Sequence, residues 1–457
     1  MKSVRRVVAF ILCCLASAAW AQQWPPSVQT RKLPNGLTVV VSEDHTAPTF
    51  GLCIAYGIGF RLEPQGRTGF AHLFEHMMFE GTPNAPKGTF DRVLETGGGV
   101  NNGDTRYDFT EYIEGAPISA LDPTLWLEAD RMKTLDFSIS NLDNQRKVVE
   151  EEVRVNVLNQ PYGGFYFLDL PMNAFTKWPN SHNFYGDFKD LDAASIEDVK
   201  NFYLHFYAPN NAVLAIVGDV SPQEVFNKVE KYFAAIPSRE VPPKPDFAEP
   251  PQAAEKRITQ TDKLAKVPAL AIGYQLPPPR THDALVAAVT GDLLHNGEAS
   301  RLYQTLVKEK KVATSVDGGA NWSIGSPFEY AGPALMTSFV VYPANVKDSA
   351  VMDAYDQVVA QLASAGPSPE ELKRVQAKMR SDWYAQLESP ISRASALAHA
   401  ALIYGDPNYA FEVPDELAKV TPKEVQAYAA KYLVKNNRTV IVRTPEQASA
   451  QPSKGGQ

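Results

Sequence analysis

Cysteine is scarce: three in 457 residues, two of them adjacent at Cys13 and Cys14. That excludes a disulfide framework and a cysteine-clamped metal cluster, since each needs several thiols at defined spacing. The remaining Cys53 lies in the apolar stretch Leu52-Cys53-Ile54-Ala55. There a thiol packs as a small hydrophobe and lacks the polar surround that makes it a nucleophile. Positive charge is also short: 44 Lys+Arg stand against 52 Asp+Glu, a net charge of −8. No nucleic-acid partner is expected, because phosphate neutralisation needs a basic surface. Only eight histidines are present, with no histidine-rich tract of the kind that captures metal for storage.

What is present begins with an N-terminal address. Lys2, Arg5 and Arg6 precede an apolar run over residues 7–15, and Ala19-Trp20-Ala21 offers the small residues that a signal peptidase reads. Residues 1–21 read as a signal peptide, so the chain is expected to be exported, periplasmic or secreted. The apolar run is too short for a transmembrane helix, and no membrane span is expected in the mature chain. Loss of the three cations takes the net charge from −8 to −11.

The length suits two domains. Lys32-Leu33-Pro34-Asn35-Gly36-Leu37 before Thr38-Val39-Val40-Val41 predicts a hairpin with an Asn-Gly turn. Residues 237–257, with Pro237, Pro242, Pro243, Pro245, Pro250 and Pro251, read as a linker between a domain over 28–236 and one over 258–444. Residues 445–457 read as a disordered tail. The halves repeat. Val199, Phe202, Asn210 and Ile216 match Val425, Tyr428, Asn436 and Val442 at one offset of 226 through a helix and a strand. The expected class is α+β, a duplicated pair of sheets covered by helices.

The sharpest chemical signal is Gly69-Phe70-Ala71-His72-Leu73-Phe74-Glu75-His76-Met77-Met78-Phe79-Glu80-Gly81. Phe70, Leu73, Phe74, Met77 and Met78 follow helical spacing and would bury one face. His72 and His76, four apart, stack on the other and can converge on one tetrahedral zinc. Glu75 beside them can take a proton from a water molecule acidified by the metal. Thr68 is placed to cap this helix and Gly81 to end it. A catalytic zinc needs a third protein ligand, commonly a carboxylate. Glu150, Glu151 and Glu152 follow Ser140 and Asp143, which together resemble a capping box, and Pro161 should stop that helix. Spacing alone does not choose among the three glutamates.

With its flanks Arg67-Thr68-Gly69 and Phe79-Glu80-Gly81-Thr82, the His72-x-x-Glu75-His76 motif resembles the M16 metallopeptidases, the group of pitrilysin, insulin-degrading enzyme and mitochondrial processing peptidase. Asn102-x-x-Thr105-x-x-Asp108-x-Thr110-x-Tyr112 and Pro209-Asn210-Asn211 before a strand ending in Gly218-Asp219 resemble it too. The resemblance implies two halves enclosing a chamber, with the metal in the first half and the second half inactive. It implies a zinc endopeptidase for peptides or unfolded segments, with one Zn2+ per chain on His72, His76 and Glu152 and with Glu75 as general base; Glu151 is the second choice of ligand. Asn102 and Gly103 match the edge strand on which the family lays the substrate backbone.

Three departures stand out. Gln145 takes a position where the family often has a glutamate. Val307 and Thr314 replace an arginine and a tyrosine that help bind substrate in active single-chain relatives, and Ser300-Arg301-Leu302-Tyr303-Gln304 stands where a second metal motif would be. A heterodimer with a paralogous subunit carrying the arginine and tyrosine is therefore expected; the alternative is that water or another side chain, such as Tyr303 or Tyr330, fills the role within one chain. The rival functions are a non-catalytic peptide-binding scaffold, which has no need of a general base, and a zinc-binding protein of the cell envelope.

Overall fold

The computed structural model describes residues 24–446. The expected signal peptide and residues 447–457 of the expected tail lie outside the described residues. The first sheet is built from β1 (Val28–Lys32), β2 (Thr38–Glu43), β3 (Thr49–Tyr56), β4 (Val100–Thr105), β5 (Thr110–Pro117) and β6 (Ala212–Gly218), in the order β1-β2-β6-β3-β5-β4. The second has β7 (Lys256–Asp262), β8 (Ala269–Gln275), β9 (Ser315–Ala320), β10 (Leu335–Val341) and β11 (Arg438–Pro445), in the order β7-β11-β8-β10-β9. Residues 237–255 carry neither helix nor strand. The hairpin forms as the Asn-Gly pair predicts: β1 and β2 are antiparallel, and Gly36 turns the chain at φ +95°.

Duplication is visible in the pairing. β2 runs parallel to β6, and β7 parallel to β11, while every other neighbour in both sheets is antiparallel. The offset of 226 holds down to the helix caps. Ser195 and Asp198 form a capping box on the helix Ile196–Phe206, and Thr421 and Glu424 form one on Pro422–Tyr432. A short turn, Pro209–Asn211 or Lys435–Asn437, then leads into β6 or β11.

The halves also exchange elements, which the boundary at 236 does not anticipate. The helix Pro390–His399 of the second half packs Ala394, Leu397 and Ala398 on Val40, Cys53, Ala55, Val213, Ala215 and Val217 of the first sheet. In return Phe165, Leu170, Ala174 and Phe175 of the first half pack on Ala269, Ala271, Leu335 and Ile441 of the second sheet. Gly51 makes the first of these crossings possible: a Cβ there would lie 2.3 Å from the backbone nitrogen of Ile391. Each sheet thus buries both faces at its centre, which is why β3 and β6 read as unbroken apolar runs rather than as alternation.

Candidate metal centre and active cleft

The helix Phe70–Met77 buries Phe70, Ala71, Leu73, Phe74 and Met77 and leaves His72, Glu75 and His76 part-exposed on its other side. Its start is not capped by Thr68 as expected. Gly69 occupies the cap position at φ +78°, and the buried Glu63 carboxylate accepts from the N–H groups of Gly69 and Ala71 at 3.0 and 2.8 Å. His182 holds Glu63 from behind at 2.9 Å. Thr68 instead donates to Asp190 and accepts from the Asp187 N–H, which ties segment 185–190 to the start of the helix. The helix ends at Met77, and Gly81 turns the chain at φ +88° shortly after.

Glu152 comes from the helix Ile139–Val153. Ser138, rather than Ser140, caps it, and Asp143 pairs with Arg146 instead of closing a capping box, because the helix starts earlier than expected. A π turn over Arg154–Leu158 then carries the chain out before Pro161. Glu150 and Glu151 both pair with Arg154. Glu152 alone of the three faces the histidines: its Oε2 lies 3.4 Å from His72 Nε2 and 3.2 Å from His76 Nε2, and the two Nε2 atoms are 3.3 Å apart.

Those three edges test whether a zinc ion fits. Ligand atoms about 2.1 Å from a tetrahedral zinc stand about 3.4 Å from one another. Charge-assisted hydrogen bonds would be shorter, about 2.7–2.9 Å, and the buried Oε2 makes no well-formed one. The donor set, two imidazoles and a carboxylate, is that of a catalytic zinc site. The residues present therefore fit the ion. The neighbouring imidazoles, His72 first and then His76, hold the Glu152 carboxyl well below the usual carboxylate range.

A second cluster, Cys53, Glu111 and His399, also brings three donor groups together. Here Glu111 Oε2 accepts from Cys53 Sγ at 3.1 Å and meets His399 Nε2 at 3.0 Å. A sulfur and an oxygen on one tetrahedral zinc would stand about 3.5 Å apart. The shorter contacts are those of a satisfied hydrogen-bonded group, and Glu329 lies 3.5 Å from the other ring nitrogen of His399. Burial disfavours the charged imidazole, but the two carboxylates outweigh it and push its pKa up to about 10. This cluster is an ion-paired clip between the halves.

Glu75 lies in the same cleft as His72 and His76, and its Oε2 accepts from Thr105 Oγ1 at 2.5 Å. Gly103 on β4 packs against it: a Cβ there would lie 3.0 Å from Glu75 Cγ. β4 is the outer strand of its sheet, so Asn102 and Gly103 sit at an edge. Gln145 is buried and donates to Glu80, which also accepts from Lys87 at 2.5 Å.

The cleft has a volume of about 540 Å³ and takes Ser323 and Ile324 from the second half. Sequence reasoning missed several of its walls. Tyr166, Phe167, Phe184 and Tyr185 line it, as do Asp104 and Arg106, which pair at 2.5 Å. Burial, against the pull of Arg106, pushes the Asp104 carboxyl up to about 7. Asp104 and Arg106 fall at unspecified positions of the pattern over 102–112, and no spacing links the aromatic wall to the histidines. Val307 packs against the second core, and Thr314 hydrogen-bonds Val341. Neither they nor Tyr303 and Tyr330 line the cleft.

Residues 38–181 match the family described as insulinase (peptidase family M16), and residues 193–379 match the peptidase M16 inactive domain. The zinc protease PqqE of Helicobacter pylori is 27% identical over 402 residues, 87% of this chain and 89% of that protein. A probable mitochondrial-processing peptidase subunit beta of Schizosaccharomyces pombe is 23% identical, with 89% of each chain covered. The crystal structure of a protease from Helicobacter pylori superimposes with a TM-score of 0.84 at 25% identity, covering 92% of this chain and 100% of that one. With both halves matched in order and the fold shared along their length, the chain belongs to peptidase family M16.

Proposed function

We propose that the chain is a zinc-dependent endopeptidase that hydrolyses peptides or unfolded protein segments, with His72, His76 and Glu152 holding one zinc per chain and Glu75 acting as general base. The observation that carries this reading is the triangle of Nε2, Nε2 and Oε2 atoms at 3.2–3.4 Å, with a carboxylate base in the same cleft. When bound, zinc supplies the Lewis acidity that brings the pKa of a water molecule to about 7. Thr105 fixes one oxygen of Glu75, which leaves the other free to accept a proton from the attacking water. An extended substrate pairs along β4 at Asn102 and Gly103, and the absence of a side chain at Gly103 lets Glu75 approach. After attack, Glu75 returns its proton to the departing amine.

Two further parts of the reading concern setting. Export, to a periplasm or outside the cell, rests on residues 2–21 alone and is tested by the N-terminal sequence of the mature protein. A paralogous partner subunit would bring the arginine and tyrosine in whose places Val307 and Thr314 stand; co-purification and a rise in activity on mixing test it. The reading as a whole is tested by metal analysis and by cleavage of quenched fluorescent peptides. Glu75→Gln should retain zinc and lose about a hundredfold or more in kcat. Activity within a few-fold of wild type in that variant removes Glu75 from the mechanism.

A further inference from the structure

We propose that Tyr185 is a further catalytic residue, whose hydroxyl donates a hydrogen bond to the substrate carbonyl oxygen as negative charge develops on it. This rests on the peptidase reading above. The tyrosine lines the same cleft as His72, Glu75, His76 and Glu152. Its ring meets the His72 ring edge-on, with centroids 5.3 Å apart and planes at 89°. Its backbone is held in place. Gly69 and Gly186 are in such close contact that a Cβ on Gly69 would lie 2.6 Å from Gly186 Cα, and Thr68 binds the Asp187 N–H at 2.9 Å. The start of the histidine helix and the tyrosine therefore move as one unit.

Two neighbouring donors of the cleft, Thr105 and Arg106, are already engaged. Thr105 donates to Glu75, while Arg106 pairs with Asp104 and donates to the Ile324 carbonyl at 3.1 Å. Tyr166 turns toward the second half, its ring against those of Trp322 and Phe339. Tyr185 has Glu152, Glu75 and Asp104 as its charged neighbours, and the Asn156 side chain acts as a donor to its oxygen, which leaves the O–H available to donate.

In the step itself the water oxygen bonds to the carbonyl carbon while its proton passes to Glu75. The carbonyl π pair moves onto the carbonyl oxygen, where the Tyr185 O–H meets it. On collapse that pair reforms the carbonyl, the C–N bond breaks, and the proton on Glu75 goes to nitrogen. Tyr185 gives and takes no proton in this cycle. A single donor of this kind is typically worth about 10²–10³ in kcat. A partner arginine would add a second donor without replacing this one.

The test compares Tyr185→Phe with the parent chain, the ring being kept so that packing on His72 survives. Calorimetry on the zinc-loaded protein, in a Glu75→Gln background, measures a phosphonamidate peptide that mimics the tetrahedral state and the matching amide peptide. We expect Tyr185→Phe to weaken the phosphonamidate about tenfold or more and to leave the amide within about twofold. Equal loss for both ligands, or loss for neither, overturns the proposal. In the Glu75-intact protein kcat should fall with KM unchanged. A parent chain that cleaves no peptide, alone or mixed with its paralogue, yet shows the selective phosphonamidate loss, refutes the peptidase reading and leaves Tyr185 only as a group that binds the tetrahedral oxygen.

Discussion

Replacing His399 with glutamine should destabilise the protein most below about pH 6.5 and progressively less as the pH rises toward about 10. His399 sits on the helix Pro390–His399, buried between Glu111 of the first sheet and Glu329 of the second half. Its pKa rises from 6.5 to about 10. A raised pKa means the folded state holds the proton more tightly, so the contribution is complete below the unfolded pKa of 6.5 and is lost as pH rises through about 10. A shift of this size corresponds to about 5 kcal/mol as a ceiling. Removing one partner of a buried pair typically costs about 3–5 kcal/mol, because the carboxylates left behind are uncompensated. At an unfolding entropy of about 2 cal/mol/K per residue, the loss corresponds to a fall in Tm on the order of 5 °C. The assay is thermal unfolding of wild type and His399→Gln from about pH 6 to about pH 10.5, which spans the window between the two pKa values. A gap between them that stays constant or widens toward the alkaline end would refute an ion-paired clip and favour plain packing.

Glu152→Gln should lower zinc content about tenfold or more while Glu151→Gln leaves it unchanged; equal zinc in wild type and Glu152→Gln, by metal analysis, would remove Glu152 as a ligand. Gly103→Val should cut kcat about tenfold or more with zinc retained, since the new side chain meets Glu75 Cγ at 3.0 Å and Phe79 at 3.1 Å; full activity on a fluorogenic peptide argues against the close packing. Gly51→Val should destabilise by about 3 kcal/mol or more, because its Cβ would meet backbone atoms of Pro390 and Ile391 at 2.3 Å; an unchanged Tm would show that the exchanged helix docks less tightly than it does here.

The local chemistry of the centre was written in the sequence. Four-residue spacing puts His72 and His76 on one helix face whatever surrounds the helix, because the period of the helix is a property of the backbone. The Asn-Gly hairpin and the repeat at offset 226 are legible for the same reason: turn chemistry and duplicated pattern act over a few residues. Which of Glu150, Glu151 and Glu152 meets the histidines was different: spacing left it open, and only the family resemblance pointed to Glu152. All three lie on one helix, and what separates them is that Arg154 engages two of them while the third meets imidazoles far away in the chain. Caps illustrate the same limit: Glu63 reaches the N–H groups that Thr68 was placed to take. The exchanged segments, the His399 clip and the placement of Tyr185 beside His72 depend on contacts between residues distant in the chain. Only packing decides such contacts, because they follow from how two sheets share their apolar faces and leave no periodic trace in either segment.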